Sequence, residues 1–282
     1  ASRFKQKVIE ATSSVTVITS DDIKKYGYRT LAEILRSVRS FQITSDRNYS
    51  YIGVRGFGRT GDYSSRVLVL VDGHRINDSI YDEALVGEDF IVDINLIERI
   101  EVIRGPSSSL YGNNAFLAVI NVITRKASDF GGVEASGAGG SFSTFKGRVS
   151  YGGVFGADAY GVFSASGLDS EGPHKLFFRE FDTPETNNGV AVNTDYESNQ
   201  SLFGKVGYGD LTLETAFVSR MKGIPTASFG TEFNDRNNKT IDQRYYLDLK
   251  YDHLCDDGAR VMAKLSYDTY YYWGTYVYSD VN

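Results

Sequence analysis

A chain of 282 residues, 41% hydrophobic and 23% charged, is long enough for one large domain or two ordinary ones and too apolar for general disorder. Its net charge of −6 excludes the basic footprint of a nucleic-acid binder, and its single cysteine, Cys255, excludes an internal disulfide or a cysteine-rich zinc site. No apolar run reaches the roughly 18 to 20 residues of a transmembrane helix; the strongest, 67–71, is strand length. A helical membrane protein is therefore excluded, whereas a β-barrel, whose strands alternate, is not.

Composition changes near residue 128. Residues 1–128 hold 15 of the 17 Ile but only 9 of the 29 Gly and 12 of the 38 aromatic residues. Net charge is +2 in residues 1–128 and −8 in 129–282. Two domains, 1–128 and 129–282, are expected.

The first segment reads as a compact α/β globule. Residues 15–19 are strand-like. Ser20 is placed to cap a helix over 21–26, with Gly27 as its stop. Thr30 and Glu33 have capping-box spacing, and Leu31, Ile34, Leu35 and Val38 form the stripe of a half-buried helix. Strands are expected over 51–55, 66–71, 99–104 and 119–124. Gly105-Pro106 ends one of them, and 107–111 forms a turn of helix stopped by Gly112.

The second segment has period two. Tyr245, Leu247, Leu249 and Tyr251 alternate with Tyr246, Asp248, Lys250 and Asp252. Val261, Ala263, Leu265 and Tyr267 alternate with Arg260, Lys264, Ser266 and Asp268, and Lys146, Arg148 and Ser150 alternate with Val149, Tyr151 and Phe155. Seven strands are expected near 131–140, 145–155, 159–168, 199–208, 211–221, 241–253 and 259–273. One apolar and one charged face fit either a soluble sandwich with two long loops or a membrane barrel with a wet lumen. Aromatic residues near strand ends, densest at Tyr270-Tyr271-Tyr272-Trp273, favour the barrel, as an interfacial girdle requires. After the first link, tight and long connections alternate, as the two rims of an outer-membrane barrel do.

Several phrases in the first segment resemble the plug domain of TonB-dependent outer-membrane receptors. They are Ser14-Val15-Thr16-Val17-Ile18-Thr19, Thr30-Leu31-Ala32-Glu33-Ile34-Leu35, Val54-Arg55-Gly56-Phe57-Gly58 and Val67-Leu68-Val69-Leu70-Val71-Asp72-Gly73. Further along come Ile97-Glu98-Arg99-Ile100-Glu101-Val102-Ile103-Arg104-Gly105-Pro106, Ser109-Leu110-Tyr111-Gly112 and Val119-Ile120-Asn121-Val122-Ile123-Thr124. They stand in the family's order across residues 14–126. Two departures bear on turns. Val38-Arg39-Ser40-Phe41 stands where the family usually carries a Pro-Gly pair after the helix, and Phe116-Leu117-Ala118 where it often has Gly-Gly before the last plug strand.

The resemblance implies an α+β plug domain followed by antiparallel transmembrane β-barrel strands, a partial barrel of about seven. It implies the cell outer membrane of a Gram-negative bacterium, and import of a siderophore, haem, cobalamin or saccharide. The expected partners are TonB with its inner-membrane energising complex, outer-membrane lipid and a small-molecule nutrient, without nucleic acid. Ala1-Ser2-Arg3 resembles the stretch just after the family's TonB box. An open seven-stranded sheet would expose two edges to lipid, so the chain is expected to be part of a longer barrel. The rival expectation is a truncated or plugged barrel serving as a non-transport surface-binding component of an envelope assembly.

No enzyme is expected, because no nucleophile–base pair stands out, and no cofactor or metal is expected. Gly56-Phe57-Gly58-Arg59-Thr60-Gly61 matches G-x-G-x-x-G, but a strand rather than a helix follows, so a tight loop is favoured over a dinucleotide site. The three His (74, 174 and 253) are scattered, and Asp72-Gly73 reads as a hairpin turn. Asp235-Arg236-Asn237-Asn238 lacks the glycine of a calcium loop. Arg55, Glu101 and Arg104 are expected to form plug–barrel ion pairs with lumen charges such as Lys146, Arg148, Asp248, Lys250 and Asp268. If the 56–65 loop lies at the periplasmic base, counting successive turns puts loops 44–50 and 77–90 at the outer apex. Their ligand-facing candidates are Asp46, Arg47, Asn48, Tyr49, Asp78, Tyr81, Asp82 and Glu83. Barrel loops 169–198 and 222–240 would roof the same cavity.

Overall fold

A computed structural model describes residues 14–279, which leaves Ala1-Ser2-Arg3 outside the described residues. The chain divides after Lys126 into two compact units.

The first unit contains strands β1 (Ser14–Thr19), β2 (Phe41–Ser45), β3 (Ser50–Val54), β4 (Val67–Val71), β5 (His74–Arg75), β6 (Ile97–Arg104) and β7 (Ala118–Thr124). Its helices are α1 (Ser20–Tyr26), α2 (Leu31–Arg36) and α3 (Ser108–Tyr111). One sheet runs β1-β6-β7-β4-β5, with β4 and β7 parallel and the other pairs antiparallel; β2 and β3 form a separate hairpin. The core lies along β4, β6, β7 and α2. Val67, Val69, Val71, Ile100, Val102, Ile120, Leu31 and Ile34 are all buried there.

Local chemistry accounts for the helix ends. Thr19, not Ser20, caps α1. Its Oγ1 accepts from Asp22 N at 3.2 Å, and the Asp22 carboxylate accepts from Thr19 N at 3.0 Å, which completes a capping box. Gly27 closes α1 in the left-handed region, at φ 66°. Thr30 caps α2 by accepting from Glu33 N at 3.2 Å. The Glu33 carboxylate instead takes Arg29, accepting from its backbone N at 2.7 Å and from its guanidinium at 2.6 Å. The box spacing therefore delivers only one of its two bonds. Ser40, in the turn after α2, sits at φ 73°, in the left-handed region that glycine enters most easily.

In the second unit β8 (Gly132–Gly140), β9 (Thr144–Phe155), β10 (Ala159–Ser170), β13 (Glu197–Tyr208), β14 (Leu211–Gly223), β15 (Lys239–Leu254) and β16 (Arg260–Thr275) form one antiparallel sheet of chain-order neighbours. A small hairpin of β11 (Lys175–Phe177) and β12 (Val190–Val192) lies within the connection between β10 and β13.

The faces of this sheet are inverted relative to a soluble sandwich. Arg148, Ser150, Ser164, Ser201, Glu214, Arg220, Lys222, Asp242, Arg244 and Asp248 are buried. Val149, Phe163, Leu202, Leu213, Leu249, Leu265, Tyr267, Tyr271 and Trp273 are exposed. A sheet that covers its charges and bares its hydrocarbon is matched to lipid outside and to polar surroundings inside.

The connections sort to two ends. Gly209 N donates to Asp158 O at 2.9 Å and Asp252 N to Asp210 O at 3.0 Å, which gathers the short turns 156–158, 209–210 and 255–259. Glu171 N donates to Phe142 O at 3.1 Å, and Val192 N to Asn234 Oδ1 at 2.6 Å. The other end therefore collects turn 141–143 with the long loops 171–196 and 224–238.

Candidate functional site

The loop candidates of the first unit divide into groups that build the loops and groups that remain displayed. Asp46 builds. Its Oδ1 accepts from Asn48 N at 2.8 Å and Tyr49 N at 2.7 Å, and its Oδ2 accepts from the Tyr51 hydroxyl at 2.7 Å. Burial, reinforced by this bond and the Asp46 charge, pushes the Tyr51 phenol well above its usual value. Arg47 follows in a left-handed conformation, with its N–H on Ser45 Oγ at 3.1 Å. Asp78 also builds. It is buried, and its carboxylate accepts from the N–H groups of Ile80 and Tyr81 at 2.7 Å and of Glu83 at 2.6 Å. Glu83 is buried as well.

What this loop displays is aromatic and paired. Tyr81, 54% exposed, stacks on Tyr63, 42% exposed, at 4.7 Å between ring centroids and 7° between planes. Asp82 forms an exposed ion pair with Arg75. Tyr63 and Arg75 were not among the sequence candidates.

The turn-counting argument is corrected here. Tyr63 O accepts from Ala84 N at 3.1 Å and its ring stacks on Tyr81, so the end of segment 56–65 meets loop 77–90 rather than lying at the opposite end. The count passed over the Asp72-Gly73 hairpin: β4 and β5 are antiparallel neighbours, so the entry to β4 and the exit from β5 share one end.

The G-x-G-x-x-G phrase is a tight loop. Val54 and Phe57 exchange two backbone hydrogen bonds across it, at 2.9 and 3.0 Å, and Gly56 sits at φ 82°. Gly58 comes so close to β3 that a Cβ there would lie 2.4 Å from Gly53 Cα. The next element is strand β4, so no helix N-terminus faces the loop. Asp72-Gly73 makes the expected hairpin, at φ 46° and 79°, and the Asp72 carboxylate accepts from Thr124 N at 3.0 Å, tying the turn to β7. His174 meets Asn193, and His253 meets Asp210. Asp235 accepts from Asn237 N at 2.7 Å, and Cys255 N donates to Ala259 O at 2.7 Å; both lie in plain turns. Among the described residues no three His, Cys, Asp or Glu side chains gather as a metal site.

Of the three charges assigned to plug–barrel pairing, two have recorded partners inside the first unit. Glu101 accepts from Arg99 Nε at 2.9 Å and Asn121 Nδ2 at 3.2 Å. Arg104 donates to Ser14 Oγ at 2.7 Å, Thr16 Oγ1 at 3.1 Å and Arg39 O at 3.2 Å. Arg55 is exposed at φ 54°, and its backbone N–H donates to Ser40 O at 2.8 Å.

In the second unit the buried face carries a charge ladder. Glu214 and Asp248 are register partners across β14 and β15, and both are fully buried. Glu214 takes Lys205 at 3.4 Å, Lys250 at 3.5 Å and the Tyr246 hydroxyl at 2.9 Å. Asp248 takes Lys264 at 2.9 Å and Lys250 at 3.5 Å. Nearer the long-loop end, Arg220 pairs with Glu197 and Lys222 with Asp195, each at 2.5 Å. Asp195 belongs to loop 171–196, so that loop is fastened to the sheet by a buried pair. Arg148 donates to Ser150 Oγ at 2.5 Å and faces Glu134 at 3.7 Å. Of these, Arg148, Asp248 and Lys250 were sequence candidates.

A sheet with charges on its buried face and hydrocarbon and aromatics on its exposed face, following a compact α+β domain in the chain, has the pattern of outer-membrane β-barrel strands. The profile of the TonB-dependent Receptor Plug Domain matches residues 7–119. The chain belongs to the TonB-dependent outer-membrane receptors, as plug domain and barrel strands. It is 31% identical over 301 residues to the vitamin B12 transporter BtuB of Vibrio vulnificus, covering 93% of this chain and 48% of that protein. It is 36% identical over 130 residues to the iron-regulated outer membrane virulence protein of Vibrio cholerae, covering 45% of this chain and 19% of that protein. The fold matches the ferric-catecholate import receptor Fiu of E. coli K12 with a TM-score of 0.67 at 17% identity, over 93% of this chain and 39% of that one. It matches the pyoverdine receptor FpvA of Pseudomonas aeruginosa with a TM-score of 0.69 at 15% identity, over 95% and 38%. The chain thus spans less than half the length of each of these proteins.

Proposed function

We propose that this chain is the plug and first barrel strands of an energised importer. The importer binds a scarce nutrient at the outer face, and a TonB-type inner-membrane complex then pulls on the plug to release it into the periplasm. The single observation that carries this reading is the inverted sheet, charges buried and hydrocarbon exposed, in the same chain as a plug domain. Transport of this kind makes and breaks no covalent bond, and the relatives are named as transporters and receptors rather than enzymes. Two substrate classes come forward. The BtuB relative favours a cobalamin, and the receptors of similar fold favour a ferric siderophore.

The displayed Tyr63–Tyr81 stack, with Asp82 and Arg75, is the first-unit surface we assign to ligand contact, together with Arg47, Asn48 and Tyr49 of a second loop. Asp46, Asp78 and Glu83 act by holding these loops in shape. Arg55 and Glu101 are the charges we assign to resisting plug release. The test is energy-dependent uptake in cells carrying the full-length receptor as their only importer of labelled cobalamin or ferric siderophore. Uptake of either, lost on deleting tonB or collapsing the proton gradient, supports the reading. Growth and accumulation independent of the receptor for both classes would refute these substrates, and uptake that persists without TonB would refute the energised mechanism.

A further inference from the structure

The two long loops of the second unit, 171–196 and 224–238, are polar and rich in turn-forming residues, a composition that by itself builds mobile surface segments. The structure joins them. Phe233 of the second loop meets two phenylalanines of the first, stacked on Phe181 (4.4 Å between centroids, 19° between planes) and edge-on to Phe178 (6.0 Å, 83°). All three rings are half-buried. Polar contacts continue the seam. Asn234 Oδ1 accepts from Val192 N at 2.6 Å, the Tyr196 hydroxyl donates to Arg236 O at 3.0 Å, and the Arg236 guanidinium lies 5.2 Å from the centre of the Tyr196 ring.

The joined loops are also rooted in the sheet. Asp195 and Lys222 form a buried ion pair at the base of the first loop, and Gly223 N donates to Tyr196 O at 2.9 Å. The approach is close enough that a Cβ on Gly223 would lie 2.3 Å from Thr194 O. Ile224 N donates to Asn238 O at 2.9 Å, which carries the pairing of β14 and β15 into the second loop. Few buried contacts and free backbone groups make a loop mobile, and neither condition holds here.

We propose that loops 171–196 and 224–238 are a single prefolded body, cored by Phe178, Phe181 and Phe233 and rooted through Asp195 and Lys222, in which neither loop moves alone. Its existence does not depend on the importer reading, but its use does. In an importer, one wall of the outer mouth stands built before any nutrient arrives, and closure over the nutrient falls to other loops.

The experiment is amide hydrogen exchange of the full-length receptor in membrane with no nutrient added. Phe233→Ala lies in the second loop, yet it should accelerate exchange of peptides over 176–192 in the first about tenfold, since both aromatic contacts are lost. Phe178→Ala/Phe181→Ala should accelerate 224–238 by a similar factor, because coupling between two sites is reciprocal. Phe229→Ala is the control. It makes the same change in the second loop, but Phe229 is 78% exposed and its ring meets Tyr276 at 5.5 Å, so 176–192 should not respond. Asn234→Ala leaves all three rings in place and removes the acceptor of Val192 N; it should accelerate 190–192 even if a ring variant folds poorly. Acceleration confined to the substituted loop, or an equal response of 176–192 to Phe229→Ala, would overturn the single body. Uptake of labelled cobalamin and ferric siderophore by the native receptor is read separately. Coupled exchange in a receptor that imports neither leaves the body standing and removes the substrates assigned above. Uncoupled exchange in a receptor that imports one of them overturns the body alone.

Discussion

Replacing Gly58 by alanine should open the first unit locally, and by far more than the same change at Gly56. At Gly58 the added Cβ would lie 2.4 Å from Gly53 Cα and 3.1 Å from Gly53 N and Ile52 O. All three are backbone atoms, so no flexible side chain can swing away, and restoring an ordinary contact requires a displacement of about 1 Å. The strand that must move is β3, whose Ile52 and Val54 are buried and whose Gly53 is the register partner of Gln42 on β2. Overpacking of this kind costs about 1–3 kcal/mol. The backbone at φ 149°, which a side chain rarely adopts, adds about 1–3 kcal/mol. A total near 3 kcal/mol corresponds to an opening equilibrium raised by about a hundredfold. Gly56 sits at φ 82° with nothing within 4 Å of its Cβ position, so alanine there meets only the left-handed penalty of about 1–2 kcal/mol. Amide hydrogen exchange of the full-length receptor, read on peptides spanning 50–58, measures both variants on one scale. Equal acceleration in the two, or a larger effect at Gly56, would refute the claim that close backbone approach dictates this glycine.

Three further outcomes are expected. Ser40→Gly should stabilise the turn after α2 by about 1 kcal/mol, because Ser40 now occupies φ 73°, and exchange of the amides in the turn should slow accordingly. Tyr51 is held neutral by burial and by its bond to Asp46, so its contribution is complete below the ordinary phenol value of about 10 and is lost as pH rises through its higher folded value; in alkaline absorbance titration Tyr51→Phe should lower the late-ionising amplitude by one tyrosine. Glu214→Gln removes the charge that Lys205 and Lys250 face in a fully buried site, which should destabilise the barrel by up to about 3–5 kcal/mol. The double variant Glu214→Gln/Lys205→Gln should recover part of that loss in the thermal unfolding of the extracted receptor, and an additive loss would refute the pairing.

Period two made the barrel strands legible. Each apolar face has to meet lipid along its whole length, so the alternation persists over 9 to 16 residues, and expected and observed limits differ by at most two residues. The elements of the first unit that escaped notice were those without such a constraint. β2 has only Phe41 and Ile43 to declare it, and β5 is two residues completed by the Asp72-Gly73 turn. The cap of α1 fell one residue early because Thr19 and Ser20 are both competent caps. The partner decides between them: Asp22 stands three residues beyond Thr19, and its carboxylate returns to the Thr19 N–H.

The site was less legible for a related reason. Asp46, Asp78 and Glu83 were chosen because carboxylates in loops suit ligands, yet Asp46 and Asp78 spend their lone pairs on backbone N–H groups within five residues, and Glu83 is buried. That bonding follows from short side chains in tight turns, and composition does not distinguish a carboxylate that folds a loop from one that the loop displays. Tyr63 was passed over because its segment was set at the base, and the count of turns from there to loop 77–90 left out the Asp72-Gly73 hairpin, which returns the chain to the end it left. Once β4 is known to be flanked by β5 and β7, its entry at Val67 and the loop leaving β5 after Arg75 must lie at one end. The Tyr63–Tyr81 stack is the consequence. Side-chain chemistry was readable one residue at a time, but where those residues met depended on strand order, which the local pattern did not specify.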